Sequence, residues 1–297
     1  MKKSLILGLV LTVLVGYSQV ANGAFKDSGW GTRPAGMGGA FTGLADDANA
    51  ALWNPAGISQ IEWHEGSFMY AKLYTGLESV DLGLNYLSYV QPVSNIGNFG
   101  INWANFTSAD LYKEDTFTLT YARYLTDAVS AGINLKYLSN KYVLDSRSKD
   151  DPVFSDGSGK SAFTIDLGLL MIASDKFSVG VSAKNITQPD IGLKSKDLVP
   201  METRIGVAYN VKDTIVTAID ITSRDKDMNI HIGGESWFAD DVIGIRAGGN
   251  LRELSFGFSL MPKIVNSADF QIDYALIWPL EIKETTGTHR ISMTTLF

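Results

Sequence analysis

Through most of this chain, large apolar side chains alternate with small or polar ones every two residues. This alternation constrains the fold more than any other feature of the sequence. In one segment every second residue is large and apolar: Phe163, Ile165, Leu167, Leu169 and Met171. Successive side chains of a β-strand point to opposite faces, so the pattern predicts strands with one apolar and one polar face. Repeats of about nine to eleven residues match the tilted strands of a membrane barrel.

The alternation predicts about fourteen strands, near 66–74, 80–91, 97–106, 115–125, 129–141, 161–173, 176–185, 201–211, 214–221, 229–238, 241–248, 253–261, 268–277 and 288–297. Four connections on one side are tight: Thr126-Asp127, Ser174-Asp175, Lys212-Asp213 and Ala239-Asp240. Those on the other side are mostly longer and polar, for example 142–160, 186–200 and 278–287. Short turns opposite long loops are typical of outer-membrane barrels. The predicted fold is therefore an all-β transmembrane protein, a 14-stranded antiparallel outer-membrane β-barrel with a short N-terminal helical plug.

Charged residues in the middle of strands separate this prediction from a soluble β-sandwich. They lie on the non-apolar face and include Asp166, Arg204, Asp220, Arg246 and Asp273. Such charges are costly in a dry core but can pair or meet water inside a barrel. They either line a permeation path or form a mutually paired polar interior that holds the plug, and the second interpretation is favoured.

The first residues predict export. Lys2 and Lys3 precede an apolar stretch over 5–16, and Ala21-Asn22-Gly23 offers small residues at a cleavage site. The stretch is too short to span a bilayer, so 1–23 is predicted to be a signal peptide and the mature chain to begin near Ala24. The formal charge of -7 and the absence of basic clusters argue against nucleic acid as a partner.

The segment 24–65 has no two-residue alternation and is predicted to be a hatch ahead of a barrel over 66–297. Asp46 or Asp47 is predicted to cap a short helix that ends at Pro55, and Gly57 to supply a turn with positive φ. Asn54 is expected to bond its own backbone two residues on. Close packing explains the small residues around Met37, namely Gly36, Gly38 and Gly39.

The run from Arg33 to Gly57, which ends in Trp53-Asn54-Pro55-Ala56-Gly57, resembles the start of the PorV/PorQ family within the FadL-type outer-membrane proteins. The ending from Thr288 to Phe297 resembles the last strand of that family. The resemblance implies a fourteen-stranded barrel whose lumen holds a hatch that contains Asn54, Pro55 and Ala56. It also implies either of two roles. One is handling of secreted cargo with the type IX machinery. The alternative is uptake of long-chain fatty acids or other hydrophobic small molecules, and a structural barrel with neither activity is the third possibility.

The remaining features predict no enzyme, cofactor or metal site. His64, His231 and His289 lack ligand spacing, and no Ser and His support one another. Ile291, Met293 and Phe297 share one strand phase and are predicted to form the C-terminal signal for the barrel-assembly machinery. The expected surroundings are outer-membrane lipid, and the acidic loop from Asp145 to Asp156 is expected to be solvated.

Overall fold

The computed structural model describes residues 24–25, 29–78, 80–262 and 268–297. The predicted signal peptide over 1–23 lies outside the described residues. Fourteen antiparallel strands form one closed barrel, in which each strand pairs with its neighbours in the chain and the last pairs with the first. The predicted fold class is therefore confirmed.

The strand bounds lie within three residues of the predicted ones. The strands are β1 (Glu65–Thr75), β2 (Leu82–Val93), β3 (Gly97–Ser108), β4 (Tyr112–Thr126), β5 (Val129–Tyr142), β6 (Gly159–Ser174), β7 (Phe177–Lys184), β8 (Glu202–Lys212), β9 (Ile215–Arg224), β10 (Asp227–Phe238), β11 (Ile243–Asn250), β12 (Glu253–Leu260), β13 (Asp269–Pro279) and β14 (Gly287–Leu296). Register shifts occur only near strand ends, for example between Tyr124 and Thr126.

The two ends of the barrel differ in their connections. The four predicted tight turns, the start of β1 and the end of β14 share one end, which we call the periplasmic end. The long connections 143–158 and 185–201 lie at the other, extracellular end. The prediction of longer loops at the extracellular end is wrong for β9–β10 and β11–β12. The β9–β10 connection holds only Asp225 and Lys226, whose φ angles of 46° and 69° suit a two-residue hairpin turn.

The two faces of the wall differ in polarity. Outward side chains are large and apolar, and about half of the surface of Phe117 (51%) and Leu119 (57%) is exposed. The inward Thr118 and Asp166 are buried, although they are polar. This arrangement inverts that of a soluble protein, as a barrel surrounded by lipid requires.

Residues 29–64, which we call the inner segment, fill the lumen. They form helix α1 (Thr32–Gly36), helix α2 (Ala50–Trp53) and a 3-10 helix (Pro55–Gln60). Helix α1 contacts β11 to β14, and the 3-10 helix contacts β3 to β6 on the opposite wall. Among the described residues, none of the helices is both long enough and apolar enough to cross a membrane.

Candidate functional site

Glycines on both sides let the backbone of the inner segment approach the wall closely. A Cβ added at Gly132 of β5 would lie 2.3 Å from the carbonyl carbon of Pro55. A Cβ at Gly38, whose φ is +66°, would lie 2.2 Å from the backbone nitrogen of Gly249. The nine predicted hatch residues that are not acidic are all buried: Gly36, Met37, Gly38, Gly39, Trp53, Asn54, Pro55, Ala56 and Gly57.

Asn54 joins three parts of the molecule. Its amide nitrogen donates to the carbonyl oxygens of Thr42 and Leu169, each at 3.0 Å. Its side-chain oxygen accepts from the Ala56 N–H at 3.2 Å, which is the predicted local bond. The predicted positive φ at Gly57 is wrong, because this residue lies within the 3-10 helix. Glycine is required there for space, since a Cβ would lie 2.1 Å from the carbonyl oxygen of Ala45.

Arg33 gathers the acidic residues of the motif. Its Nη1 lies 2.6 Å from an Asp46 oxygen and 2.9 Å from an Asp47 oxygen, and its Nη2 lies 2.8 Å from Glu235 of β10. The prediction that Asp46 or Asp47 caps the helix is wrong, because Asn49 holds the N-cap position of α2. Both aspartates precede the helix, so they are free to converge on one guanidinium.

Burial and pairing shift the pKa values in this cluster. Burial alone lowers the pKa of the Arg33 guanidinium, but the carboxylates of Asp46, Glu235 and Asp47 raise it well above its ordinary value. Burial also raises the pKa of Asp47, and the charge of Arg33 offsets only part of this rise. Arg33 therefore stays charged at every physiological pH.

Arg246 extends the cluster along the wall. Its Nε contacts Glu235, and its Nη1 lies 3.1 Å from Asp273 of β13. The Asp273 carboxylate also accepts from the Ser259 hydroxyl and, at 3.1 Å, from the Ser292 hydroxyl. Two predicted lumen residues, Arg246 and Asp273, thus meet in one buried network.

Asp220 binds the backbone of the inner segment directly. Its Oδ2 accepts from the N–H groups of Phe41 at 3.0 Å and Thr42 at 2.8 Å. This carboxylate is fully buried, so the two bonds are charge-assisted and desolvated. Its position predicts a role in holding the inner segment.

Arg204 and Asp166 lie on the β5–β8 side of the lumen. The Arg204 guanidinium stands over the Trp53 ring, 4.6 Å from its centroid, and its Nε lies 2.6 Å from Glu202. Asp166 lies 3.3 Å from the Lys136 ammonium and accepts from Asn134 at 3.0 Å. All five predicted lumen residues are therefore buried and in polar contact with the wall or the inner segment.

The extracellular mouth is covered from two directions. The carbonyl oxygens of Ala24 and Phe25 accept from the Arg224 guanidinium at 3.2 and 3.1 Å. The connection 185–201 folds inward, so that its Ile191 and Val199 pack on Leu138 and against Phe25. The start of the described chain and a long loop thus cover the mouth on its β4–β9 side.

Six apolar side chains lie at the extracellular rim beside this mouth, four of them exposed and two, Tyr112 and Phe154, half-buried. We call Leu111, Tyr112, Tyr142, Val143, Val153 and Phe154 the rim cluster. The rings of Tyr112 and Tyr142 are 4.8 Å apart, and those of Tyr142 and Phe154 are 5.7 Å apart. Leu111 is 63% exposed and Val143 is 43% exposed. Exposed apolar surface of this kind is characteristic of binding sites.

The C-terminal residues lie at the seam between β1 and β14. Ile291 and Met293 point outward and are half exposed. Phe297 exchanges backbone hydrogen bonds with His64, and the two rings stack at 5.5 Å with an interplanar angle of 11°. The three residues thus share the outer face, as their phase predicts.

The three histidines are far apart. His231 contacts the Gly38 carbonyl oxygen at 2.8 Å, and His289 contacts the Tyr274 hydroxyl at 2.7 Å. In the described part of the chain, no three His, Asp or Glu side chains gather where they could hold a metal ion.

Three residues of this site carry no signal of their role in the amino-acid sequence, namely Glu235, Glu202 and Arg224, and Arg33 has none beyond the family resemblance. Glu235 pairs with Arg33 across 202 positions of the chain, so no local spacing could reveal the pair. The sequence indicates only that Glu235 points inward, because its position in the two-residue alternation places it on the same face of β10 as His231 and Gly233.

Comparison with known proteins gives one family and one fold. A family model described as type IX secretion system membrane protein PorP/SprF matches residues 48–295. None of the curated proteins matches the chain.

Several solved structures have a similar fold. A Pseudomonas aeruginosa FadL homologue superposes with a TM-score of 0.61 at 12% identity, covering 90% of this chain and 97% of that one. The Ralstonia pickettii toluene transporter TbuX gives 0.61 at 13% identity, covering 92% and 98%. A mutant of the monoaromatic hydrocarbon channel TodX gives 0.65 at 12%, covering 91% and 99%. At these identities the likeness is one of fold alone.

Proposed function

Because this chain belongs to the PorP/SprF family of type IX secretion system membrane proteins, we propose that it handles exported protein at the outer membrane as a plugged barrel. In this role the wall anchors the protein in lipid, the inner segment keeps the lumen closed, and the extracellular rim binds cargo. The resemblance to PorV/PorQ in particular is not confirmed. In its most specific form, the proposal is that this protein binds the C-terminal signal of its cargo, as PorV-like proteins do.

The observation that carries the proposal is the rim cluster. Leu111 and Val143 continue the β4–β5 ladder beyond the strands, with the Val143 N–H bonded to the Leu111 carbonyl oxygen at 2.9 Å. Val153 of the long connection is 45% exposed, and its neighbour in the chain, Phe154, contacts Tyr142. A rigid ladder that presents apolar side chains is suited to bind a folded partner, since few groups need ordering on association.

The lumen gives less support to the alternative of a conduit for hydrophobic molecules. A cavity of about 200 Å³ lies between the inner segment and the wall formed by β8, β10 to β14 and β1. Its lining includes Arg204, His231, Arg252, Glu253 and Arg290. Binding sites for hydrophobic ligands are lined mainly by apolar side chains. The polar lining of this cavity therefore favours cargo handling over uptake.

The proposal is tested with the double variant Leu111→Ser/Val143→Ser and a matched control, Leu251→Ser/Leu280→Ser. The control residues lie in other extracellular connections and are 65% and 47% exposed, like the test pair. We expect the test variant to bind cargo about tenfold more weakly or worse, since truncating one of the few dominant side chains of an interface costs ~2 kcal/mol or more. Native mass spectrometry of the protein drawn from its own outer membrane measures co-purifying exported protein.

The control variant should retain cargo at the level of the unmodified protein, and both variants should insert normally. Equal cargo retention by the two variants would contradict the rim assignment. A bound fatty acid in place of any protein partner would favour the uptake role.

A further inference from the structure

Two lysines face each other on the outer surface of the barrel near its extracellular end. Lys113 of β4 and Lys141 of β5 are directly paired in register, and both side chains are exposed. Directly opposite residues on one face have Cβ atoms about 5 Å apart. Their neighbours in the same row are Thr107 of β3 and Gly159 of β6, neither of which carries a charge.

The pair has no counter-charge from the protein. Neither ammonium is within ion-pair distance of a carboxylate among the described residues. The carboxylate two residues along β4, that of Asp115, already accepts from the Trp103 indole N–H at 2.9 Å and from Asn105 at 3.0 Å. Like charges directly opposite on a sheet are destabilising, so a bound anion would relieve the repulsion.

Successive rows of outward residues show where the pair lies relative to the membrane. An aliphatic row on β3 to β6 consists of Ile101, Leu119, Leu135 and Ile165. The next row towards the extracellular end is aromatic and consists of Trp103, Phe117, Tyr137 and Phe163. The row after that is polar and consists of Asn105, Asp115, Ser139 and Ser161. The lysines form the fourth row.

Aliphatic, aromatic and polar rows in this order mark the boundary between hydrocarbon and headgroups. Rows on one face are two residues apart, about 6.6 Å along the strand. Lys113 and Lys141 therefore lie at the level of the headgroups of the outer leaflet, where lipopolysaccharide carries phosphate groups.

We propose that Lys113 and Lys141 form a binding site for a phosphate group of the glycolipid in the outer leaflet. Two ammonium groups supply up to six donors, and the Thr107 hydroxyl adds another from the neighbouring strand. A lysine ammonium binds phosphate as a point charge, and clusters of basic residues beside a membrane recognise anionic headgroups. This site lies on the outer wall, and its phosphate binding does not depend on the cargo role.

Bound glycolipid would also support the rim cluster. Leu111 and Val143 follow the lysines on the same face of β4 and β5, one row further from the membrane. Neutralising the lysine pair would stabilise the ladder that carries them.

The test uses the full-length barrel in nanodiscs and the double variant Lys113→Gln/Lys141→Gln. Its control, Lys176→Gln/Lys212→Gln, removes the same charge at the periplasmic end, where both lysines are exposed. The probes are bis-phosphorylated lipid A, the same lipid without phosphates, and inorganic phosphate. Thermal unfolding and native mass spectrometry report binding.

We expect the unmodified protein and the control to bind phosphorylated lipid A alike. The test variant should bind it about tenfold more weakly or worse, because each basic residue at a membrane surface adds to the attraction for anionic headgroups. The conservative Lys113→Arg/Lys141→Arg variant should retain binding and shows that the fold tolerates change at these positions. Equal binding by the test and control variants would overturn the proposal. So would equal binding of the lipid without phosphates, or equal stabilisation by inorganic phosphate alone.

Discussion

At the residue scale, Arg33 is the side chain on which three carboxylates converge. It contacts Asp46, Asp47 and Glu235, and the Glu235 side chain is only 2% exposed. Removing one member of a buried ion-pair network leaves uncompensated charge, which costs far more than the pairing itself contributes. Arg33 therefore stabilises the inner segment by neutralising carboxylates from both the segment and the wall.

We expect Arg33→Met to lower the free energy of unfolding by ~3–5 kcal/mol, because Asp46 and Asp47 lose their cation and Glu235 keeps only Arg246. The control is Arg147→Met, since Arg147 pairs with Asp145 in an exposed loop and its side chain is 86% exposed. Exposed pairs contribute about 0–1 kcal/mol. Urea unfolding from lipid bilayers measures both variants, and similar losses would contradict the assigned role.

A second prediction at the residue scale concerns the close contact between the backbones of β5 and the inner segment. Gly132→Ala places a Cβ 2.3 Å from the Pro55 carbonyl carbon, so the inner segment must move away. Overpacking of this kind typically costs ~1–3 kcal/mol. In the control, Gly66→Ala, the new Cβ has no atom within 4 Å. We expect a lower unfolding temperature for the first variant only, and an unchanged value for Gly132→Ala would refute the close contact.

At the scale of elements, hydrogen bonds within the connection 185–201 hold this loop in its conformation. The Asp190 carboxylate accepts from the N–H groups of Asp197 at 2.9 Å and Gly192 at 3.0 Å. These bonds, with Lys160 nearby, lower the pKa of Asp190 to about 2. The loop that covers the mouth is thus held by a carboxylate that must be ionised.

This pairing predicts a pH dependence. A lowered pKa in the folded state means that the stabilisation is complete above the ordinary value of 3.8 and is lost as the pH falls through about 2. A nitroxide attached to Lys196→Cys, in the exposed part of this loop, should become mobile between about pH 4 and pH 2 by electron paramagnetic resonance. With Asp190→Asn added, the label should be mobile already at pH 5. An identical titration in the two proteins would contradict the role of Asp190.

At the scale of the whole molecule, the barrel closes where the two ends of the sheet meet. His64 and Phe297 exchange backbone bonds at 3.1 and 3.0 Å just beyond the β1–β14 pairing. Closure removes every strand edge, which is a condition for a sheet to exist in lipid. The terminal aromatic residue therefore lies at the seam on which closure depends.

We expect Phe297→Asp to reduce the fraction of folded protein in the outer membrane several-fold, because a charge at this seam opposes closure and insertion. Phe238→Asp is the control, since Phe238 also lies at the periplasmic end and is equally exposed, at 49% against 51%. Heat-modifiable migration in gels measures the folded fraction. Equal insertion of the two variants would count against a special role for the last residue.

The alternation by itself determined the class of fold, the strand bounds and the face on which Asp166, Arg204, Asp220, Arg246 and Asp273 lie. It could do so because the orientation of a strand side chain depends only on its position in a local two-residue period. The partners of those residues had no such signal. Arg33 meets Glu235, Asp220 meets Phe41, and Gly132 meets Pro55 only after the sheet closes around the inner segment. Closure joins residues far apart in the chain, so only the tertiary structure decided what fills the lumen and what holds it there.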